Sequence, residues 1–364
     1  MNVLHINSET GWRGGERQIV YLVEEILAVG VGCAILCKKN SKLHHYCIER
    51  ELPHYTASFR NAFDVGTIMM IRKLVRTYQY DLIHVHTPKA KTLSVIASSF
   101  LGLNVPIVFT KRTSFKIKKN ALTLLKYNHH SIKKIIAISN RIADLLREVI
   151  KESDKIETVY SSIDLNNYGF QPSDTIREEL GLSPNVRLIG IVAALSPEKD
   201  HFTFLRMAAM LRDNKNLHYV IVGEGPLENQ LKEEVEKNNL KDIVHFIGFR
   251  KNVYELLPEL NVLLLTSIEE GLGSVILDAF ASKVPVVATN AGGIPELVKH
   301  EETGLIAPVK DHEKLAENVN RILNEPELKE RLIINAYEFV QGFSKEKTAE
   351  KTLAVYREIL ADKS

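Results

Sequence analysis

The chain has 364 residues, enough for two separate cores, and its 45% apolar and 25% charged content excludes a stapled miniprotein, a low-complexity or collagen-like chain, and extensive disorder. Its formal charge of +2 hides an asymmetry: residues 1–164 carry 24 Lys and Arg against 14 Asp and Glu (+10), and residues 165–364 carry 23 against 31 (−8), so one lobe suits anions or an anionic surface. Three cysteines, Cys33, Cys37 and Cys47, without paired ligand spacing argue against a disulfide framework or a zinc site and fit a reducing compartment.

From the N-terminus, Val3–Ile6 reads as a first strand and not as a secretory signal, because no basic segment or cleavage site accompanies it. Gly14-Gly15-Glu16 then opens a predicted helix over Arg17–Leu27. Apolar, β-branched runs predict further strands at Ala34–Cys37, Leu82–Val85, Ile107–Phe109 and Ile135–Ile138. The charge-free run from Thr92 to Thr110 spans 19 residues, long enough to test as a membrane span. Ser94, Ser98, Ser99, Gly102, Asn104 and Pro106 break it into a short helix, a turn and a buried strand. In the second half, strands are predicted at Leu188–Ala193, Tyr219–Val222, Val244–Ile247, Val262–Thr266, Val284–Ala288 and Leu305–Ala307. Such runs suit parallel strands covered on both faces, so the expected class is α/β with two doubly wound domains.

The expected domains are 1–165 and 185–342. Between them a linker at 166–184 is marked by Asn166, Asn167, Gly169, Pro172 and Ser173. An amphipathic helix in 343–364, with Ser344 as its N-cap, is expected to pack back across the first domain. No period of 20–50 residues recurs, which sets aside a solenoid or propeller.

Three segments offer chemistry. At 269–281 a glycine loop opens a helix directly after a strand, so the N–H groups of Gly273, Ser274 and Val275 and the helix dipole suit a phosphate. Glu270 precedes them and Asp278 lies about one and a half turns into the helix; both can accept hydrogen bonds from sugar hydroxyls. An acidic first turn and a solvated helix face would satisfy the dipole equally well. Gly14-Gly15 sits where a backbone approaches an anion at a helix start, or simply forms a flexible β-to-α loop; its spacing is not a dinucleotide fingerprint. Between Lys111 and Lys134, the cations Lys111, Arg112, Lys116, Lys118, Lys119, Lys126, Lys133 and Lys134 meet no acidic residue and are interleaved with Phe115, Ile117, Leu122, Leu124, Leu125 and Tyr127. That mixture suits an anionic lipid surface or a phosphorylated acceptor, and also an ordinary solvated helix face. RNA binding asks for more aromatic platforms.

Together these segments resemble the family-4 retaining glycosyltransferases (glycosyltransferase group 1), over nearly the whole chain. Glu270 and Asp278 match that family's glutamate, seven residues, acidic residue signature, with Asp where Glu is usual. Gly14-Gly15-Glu16 is similar to its Gly-Gly-x-Glu loop, and the strand ending His84-Val85-His86 to its His-x-His strand. Ile136-Ala137-Ile138-Ser139 and Ser162-Ile163-Asp164 resemble two motifs before its linker. Leu195-Ser196-Pro197-Glu198-Lys199 resembles its diphosphate clamp, although Ala194 stands where Arg is common. Arg250, after Phe246-Ile247-Gly248-Phe249, matches the nucleobase-contacting loop, whereas Val222–Pro226 and Gly292–Glu296 read as structural turns.

The resemblance implies a GT-B fold, two doubly wound Rossmann-like domains facing a central cleft, and transfer of a sugar from a nucleotide-diphosphate donor, a UDP-sugar, to a glycolipid or saccharide with retention. It implies Glu270, His86 and Lys199 as catalytic residues, and Gly14, Gly15, Arg250, Gly273, Ser274, Val275 and Asp278 as donor-binding ones. Lys111, Arg112, Lys116, Lys118 and Lys119 would meet the membrane or the acceptor. No Asp-x-Asp pair occurs, so no metal is expected, nor a cofactor, since the nucleotide sugar is a substrate. Nucleic acid is not an expected partner. The expected setting is cytoplasmic, peripheral on the inner face of the membrane, in lipopolysaccharide or cell-surface glycan biosynthesis. Two alternatives are a nucleotide-sugar epimerase of the same fold and a non-catalytic nucleotide-sugar-binding module.

Overall fold

The computed structural model describes residues 1–169 and 175–361, and the chain divides into two compact units: 1–162 with 345–364, and 163–344. Pro172 and Ser173 of the expected linker, and 362–364 of the expected C-terminal segment, lie outside the described residues.

The first unit is built on seven parallel strands, β1 Asn2–Ile6, β2 Gly32–Lys38, β3 His54–Ala57, β4 Leu82–Val85, β5 Ile107–Lys111, β6 Ile132–Ala137 and β7 Ile156–Thr158, in the order β3-β2-β1-β4-β5-β6-β7. The runs legible in the sequence are those buried on both faces, among them Leu4, Ile6, Leu82, Ile83, Val85, Ile107 and Val108. β3 and β7, which have no counterpart among the predicted strands, are the two edges. They have one neighbour each, and β3 is half-buried throughout.

The charge-free run forms the helix Pro88–Leu101, a turn and β5. Thr87 Oγ1 accepts the N–H of Ala90 at 3.3 Å, Pro88 takes the first helical position, and Gly102 ends the helix in the left-handed region. Among the described residues no helix is long and apolar enough to cross a membrane. The helix Lys345–Ala361 lays Leu353, Tyr356 and Ile359 into the same core as Ile19, Val23 and Ile26 of the helix Gly14–Ala28. The three cysteines are buried and free.

The second unit has six parallel strands, β8 Arg187–Val192, β9 Leu217–Val222, β10 Val244–Gly248, β11 Val262–Leu265, β12 Val286–Thr289 and β13 Leu305–Ala307, ordered β10-β9-β8-β11-β12-β13. Its core gathers Ile189, Ile191, Phe204, Tyr219, Ile221, Leu264 and Val287. Where this unit begins and ends, Ile163 donates its N–H to the carbonyl of Phe343 at 3.0 Å. Both units thus have the doubly wound α/β architecture that the apolar runs predict. In each, the strand order reverses direction at one point, β1 beside β4 and β8 beside β11, and the carboxyl ends there are where such sheets open to a ligand.

Candidate functional site

In the second unit the loops after β8 and β11 meet at the reversal point. The first closes with a short 3-10 turn, Pro197–Lys199, and the second carries Ser267 and Glu270. Lys199 Nζ is bonded directly to Glu270 Oε2, to which Ser267 Oγ also donates at 3.2 Å. Thr266 Oγ1 donates to the carbonyls of Lys199 and Asp200, both at 2.9 Å, and the N–H of Ile268 to that of Glu198 at 2.9 Å, so the two loops are stapled together. The pair is partly open, with Lys199 21% and Glu270 13% exposed.

Gly292 explains why this loop needs a glycine turn beside it. Its φ is +53°, and a Cβ there would stand 1.9 Å from the carbonyl oxygen of Glu270; next to it, Gly293 donates its N–H to the same oxygen at 3.0 Å. The turn therefore supports the backbone of Glu270.

The helix Ser274–Ala281 starts at Gly273, φ +82°, which as its N-cap residue supplies no side-chain cap. A Cβ on Gly273 would lie 3.4 Å from Glu270 Cγ, so the helix start and the ion pair share one small region. Asp278 is 1% exposed and accepts a hydrogen bond from the Tyr168 hydroxyl. Tyr168 in turn packs edge-on to Tyr254, ring centroids 6.1 Å apart. Sequence reasoning missed Tyr168; its only signal is an aromatic residue shortly after Ser162-Ile163-Asp164. Arg250 forms an exposed pair with Glu179, at 2.6 and 2.7 Å. The structure therefore unites Lys199, Glu270 and Gly273, while Asp278 and Arg250 have partners of their own.

In the first unit, Glu16 is buried and bridges the glycine turn: Asn7 Nδ2 donates to its Oε1 at 2.9 Å, and the N–H of Arg13 to its Oε2 at 2.9 Å. His5 on β1 pairs in register with His84 on β4, and the N–H of His86 donates to the carbonyl of Ile6 at 3.0 Å. That register brings three imidazoles together, His5 and His86 stacked and His84 tilted against both. His5 Nδ1 and His86 Nε2 share a hydrogen bond of 3.0 Å, while the nitrogens of His84 face the Tyr356 hydroxyl at 2.5 Å and the Thr110 hydroxyl at 2.6 Å. Burial pushes His5 down to about 3. Burial first, then the neighbouring imidazoles and Arg112, pushes His86 well below the ordinary histidine value; His84 moves the same way by burial, His5 and Arg112. Ligand atoms of the three histidines lie within 4.8 Å, close enough for a metal, but both nitrogens of His84 are already engaged.

The basic segment needs a correction. Lys111 is buried at the end of β5, its ammonium donating to the Thr113 carbonyl at 2.5 Å, so it cannot lie on a lipid surface. Arg112 also turns inward: its Nε is buried, its Cδ would be 3.5 Å from a Cβ on Gly15, and burial lowers it to about 10 against the opposing pull of Glu16. Lys116, Lys118 and Lys119 are exposed, with Phe115, Leu122 and Leu125 exposed among them.

The family model described as glycosyl transferases group 1 matches residues 172–339, and that described as glycosyltransferase family 4 matches 12–167. The chain is 25% identical, over 82% of its length and 80% of the relative, to N-acetyl-alpha-D-glucosaminyl L-malate synthase of Bacillus anthracis. It is 24% identical, over 90% of its length and 89% of the relative, to UDP-Gal:alpha-D-GlcNAc-diphosphoundecaprenol alpha-1,3-galactosyltransferase of Escherichia coli. Its fold matches the crystal structure of Anabaena HepE in complex with UDP and glucose, with a TM-score of 0.86 and 21% identity over 98% of this chain and 100% of the other.

Proposed function

The chain belongs to the glycosyltransferases of group 1 and family 4, and from that premise we propose that it moves a sugar from a nucleotide-diphosphate donor, a UDP-sugar, to a glycolipid or saccharide acceptor with retention at the anomeric carbon. The observation that carries the reading is the Lys199–Glu270 pair set against the uncapped helix start at Gly273. Breaking a sugar–diphosphate bond develops negative charge on the leaving phosphate. A fixed ammonium and helix N–H groups, already oriented, stabilise that charge without reorganising. Glu270, held by Lys199 and Ser267, orients the donor sugar by accepting from its hydroxyls. Asp278 with Tyr168 offers an acceptor for the ribose. In the first unit, His86, kept neutral by burial, the neighbouring imidazoles and Arg112, offers a hydrogen-bonding group to a saccharide.

The donor nucleobase is supported by two similar proteins: the E. coli relative is named for UDP-Gal, and the Anabaena structure carries UDP. The retaining course, with the departing phosphate helping to deprotonate the acceptor hydroxyl, follows from the family resemblance. The lack of an Asp-x-Asp clamp supports transfer without a divalent metal. A cytoplasmic setting against the membrane is part of the same reading, supported by the exposed Lys116, Lys118 and Lys119.

A thermal-shift comparison of UDP, GDP and ADP tests the donor. UDP at 100 times its dissociation constant is expected to stabilise by ~2.7 kcal/mol, with GDP and ADP well below it. UDP release from UDP-sugar on addition of a polyprenyl-diphosphate saccharide is expected to survive EDTA. No shift with any of the three nucleotides and no release from the donor would defeat the proposal.

A further inference from the structure

Lys91 is a buried cation with no anion beside it. It is 3% exposed, in the first turns of the helix Pro88–Leu101, and its N–H donates to the carbonyl of Thr87, the residue after His86, at 2.9 Å. Its ammonium stands 3.0 Å from the ring centre of Tyr127 and 4.4 Å from that of Phe109. Phe109 lies on β5 opposite Val85 of β4, so this cage sits at the carboxyl ends of the strands that carry His84 and Thr110. Among the described residues no hydrogen bond or ion pair reaches the ammonium, and the charges that act on it are Lys126 and Lys111. Two ring faces offset only part of the desolvation of a buried charge, and two like charges add to the cost. Burial first, then Lys126 and Lys111, pushes the amine well below the ordinary lysine value.

We propose that Lys91, with Lys111 and Lys126, forms a phosphate-binding subsite in the first unit, and that the acceptor carries the phosphate which occupies it. The inference rests on the glycosyltransferase reading for the word acceptor; the subsite itself stands on the residues of this unit. Lys91 and Lys111 are buried, which separates them from the exposed Lys116, Lys118 and Lys119. A dianion gives the Lys91 ammonium the anion it lacks and offsets the two cations that act on it, and phosphate can accept from Lys91 and from Lys126 while Lys111, bonded to Thr113, adds its charge. Lys91 lies five residues beyond His86 and bonds back to Thr87, and Phe109 of its cage pairs with Val85 at the carboxyl ends of β4 and β5, so the set suits an anion attached close to the hydroxyl that is glycosylated.

The experiment is a 31P NMR titration of inorganic phosphate into the full chain with saturating UDP, so that the second unit's phosphate-binding turn is occupied. The wild type is expected to bind phosphate saturably. Lys91→Met, which keeps the stem between the rings, is expected to weaken it about tenfold or more, and Lys126→Met to weaken it less. Thermal melting of Lys91→Met should equal or exceed that of the wild type, because an unpaired buried cation is gone. If Lys91→Met does not fold, the half-buried Lys126→Met carries the comparison. Absence of saturable binding by the wild type, or an unchanged isotherm in a folded variant, overturns the proposal. Phosphatidylglycerol vesicles separate the sources: a variant that loses vesicles while keeping phosphate shows that a lipid headgroup was the ligand and overturns it too. Failure of UDP to bind reports on the donor reading instead, and the titration is then repeated without UDP on Lys199→Met to silence the other turn.

Discussion

Glu270 and Lys199 are each useful only because the other is present. On the proposed reading the ammonium stands where a diphosphate charge develops, held by a carboxylate that also orients the sugar, so the pair is a compromise between positioning and charge. Lys199→Met is expected to lower kcat by ~10²–10³, the cost of one oriented transition-state donor, and to lower the melting temperature as well, because it leaves the Glu270 carboxylate without its cation. Tyr168→Phe is expected to raise the donor KM and leave kcat nearly constant, because the Tyr168 hydroxyl touches Asp278 and not Lys199 or Glu270. Steady-state kinetics with one UDP-sugar separates the two; equal effects on kcat would refute the division of labour. Glu270 was legible because a glycine loop opening a helix after a buried strand is a local pattern. Tyr168 was not: its partner is 110 residues away and depends on how the second unit closes.

At the level of elements, the apolar runs located both sheet centres, since a strand covered on both faces must be apolar throughout, whereas β3 and β7 escaped because an edge strand need not be. The register of β1 against β4, invisible in sequence, gathers His5, His84 and His86, with His5 and His86 stacked and His84 tilted against both, and this lowers stability in acid. His5 stays neutral down to about 3, and His84 and His86 also resist protonation, while the unfolded chain takes up protons below its ordinary value of about 6.5. The stability that these histidines contribute is therefore complete above pH 6.5 and is lost as the pH falls from there towards 3. Between pH 7 and 5, His5 alone withdraws ~2 kcal/mol. Urea midpoints of the wild type should fall across this range, and those of His5→Gln should fall less steeply; parallel pH profiles would show that His5 is protonated in the folded chain.

For the molecule as a whole, the sign of charge on each half was plain from composition, but which cations face solvent was not. A run of eight Lys and Arg between 111 and 134 reads as one basic surface; folding divides it, drawing Lys111 and Arg112 inward at the end of β5 and leaving Lys116, Lys118 and Lys119 outside. The exposed part also carries Phe115, Leu122 and Leu125, on a loop and on a helix, Ala121–Tyr127, that buries none of its residues. Each cation near an anionic bilayer contributes ~1 kcal/mol, and Lys119 contributes less because Glu148 stands 3.1 Å away. Three apolar side chains that enter the interface supply the remainder. The chain is expected to sediment with phosphatidylglycerol vesicles at ~0.05 M salt and to lose about half or more of that binding at ~0.5 M, where the screening length falls below about 5 Å. Replacing Phe115, Leu122 and Leu125 together by Ser should abolish sedimentation at both salts while UDP-induced stabilisation persists. Vesicle binding that survives the triple replacement would place the lipid contact on another face.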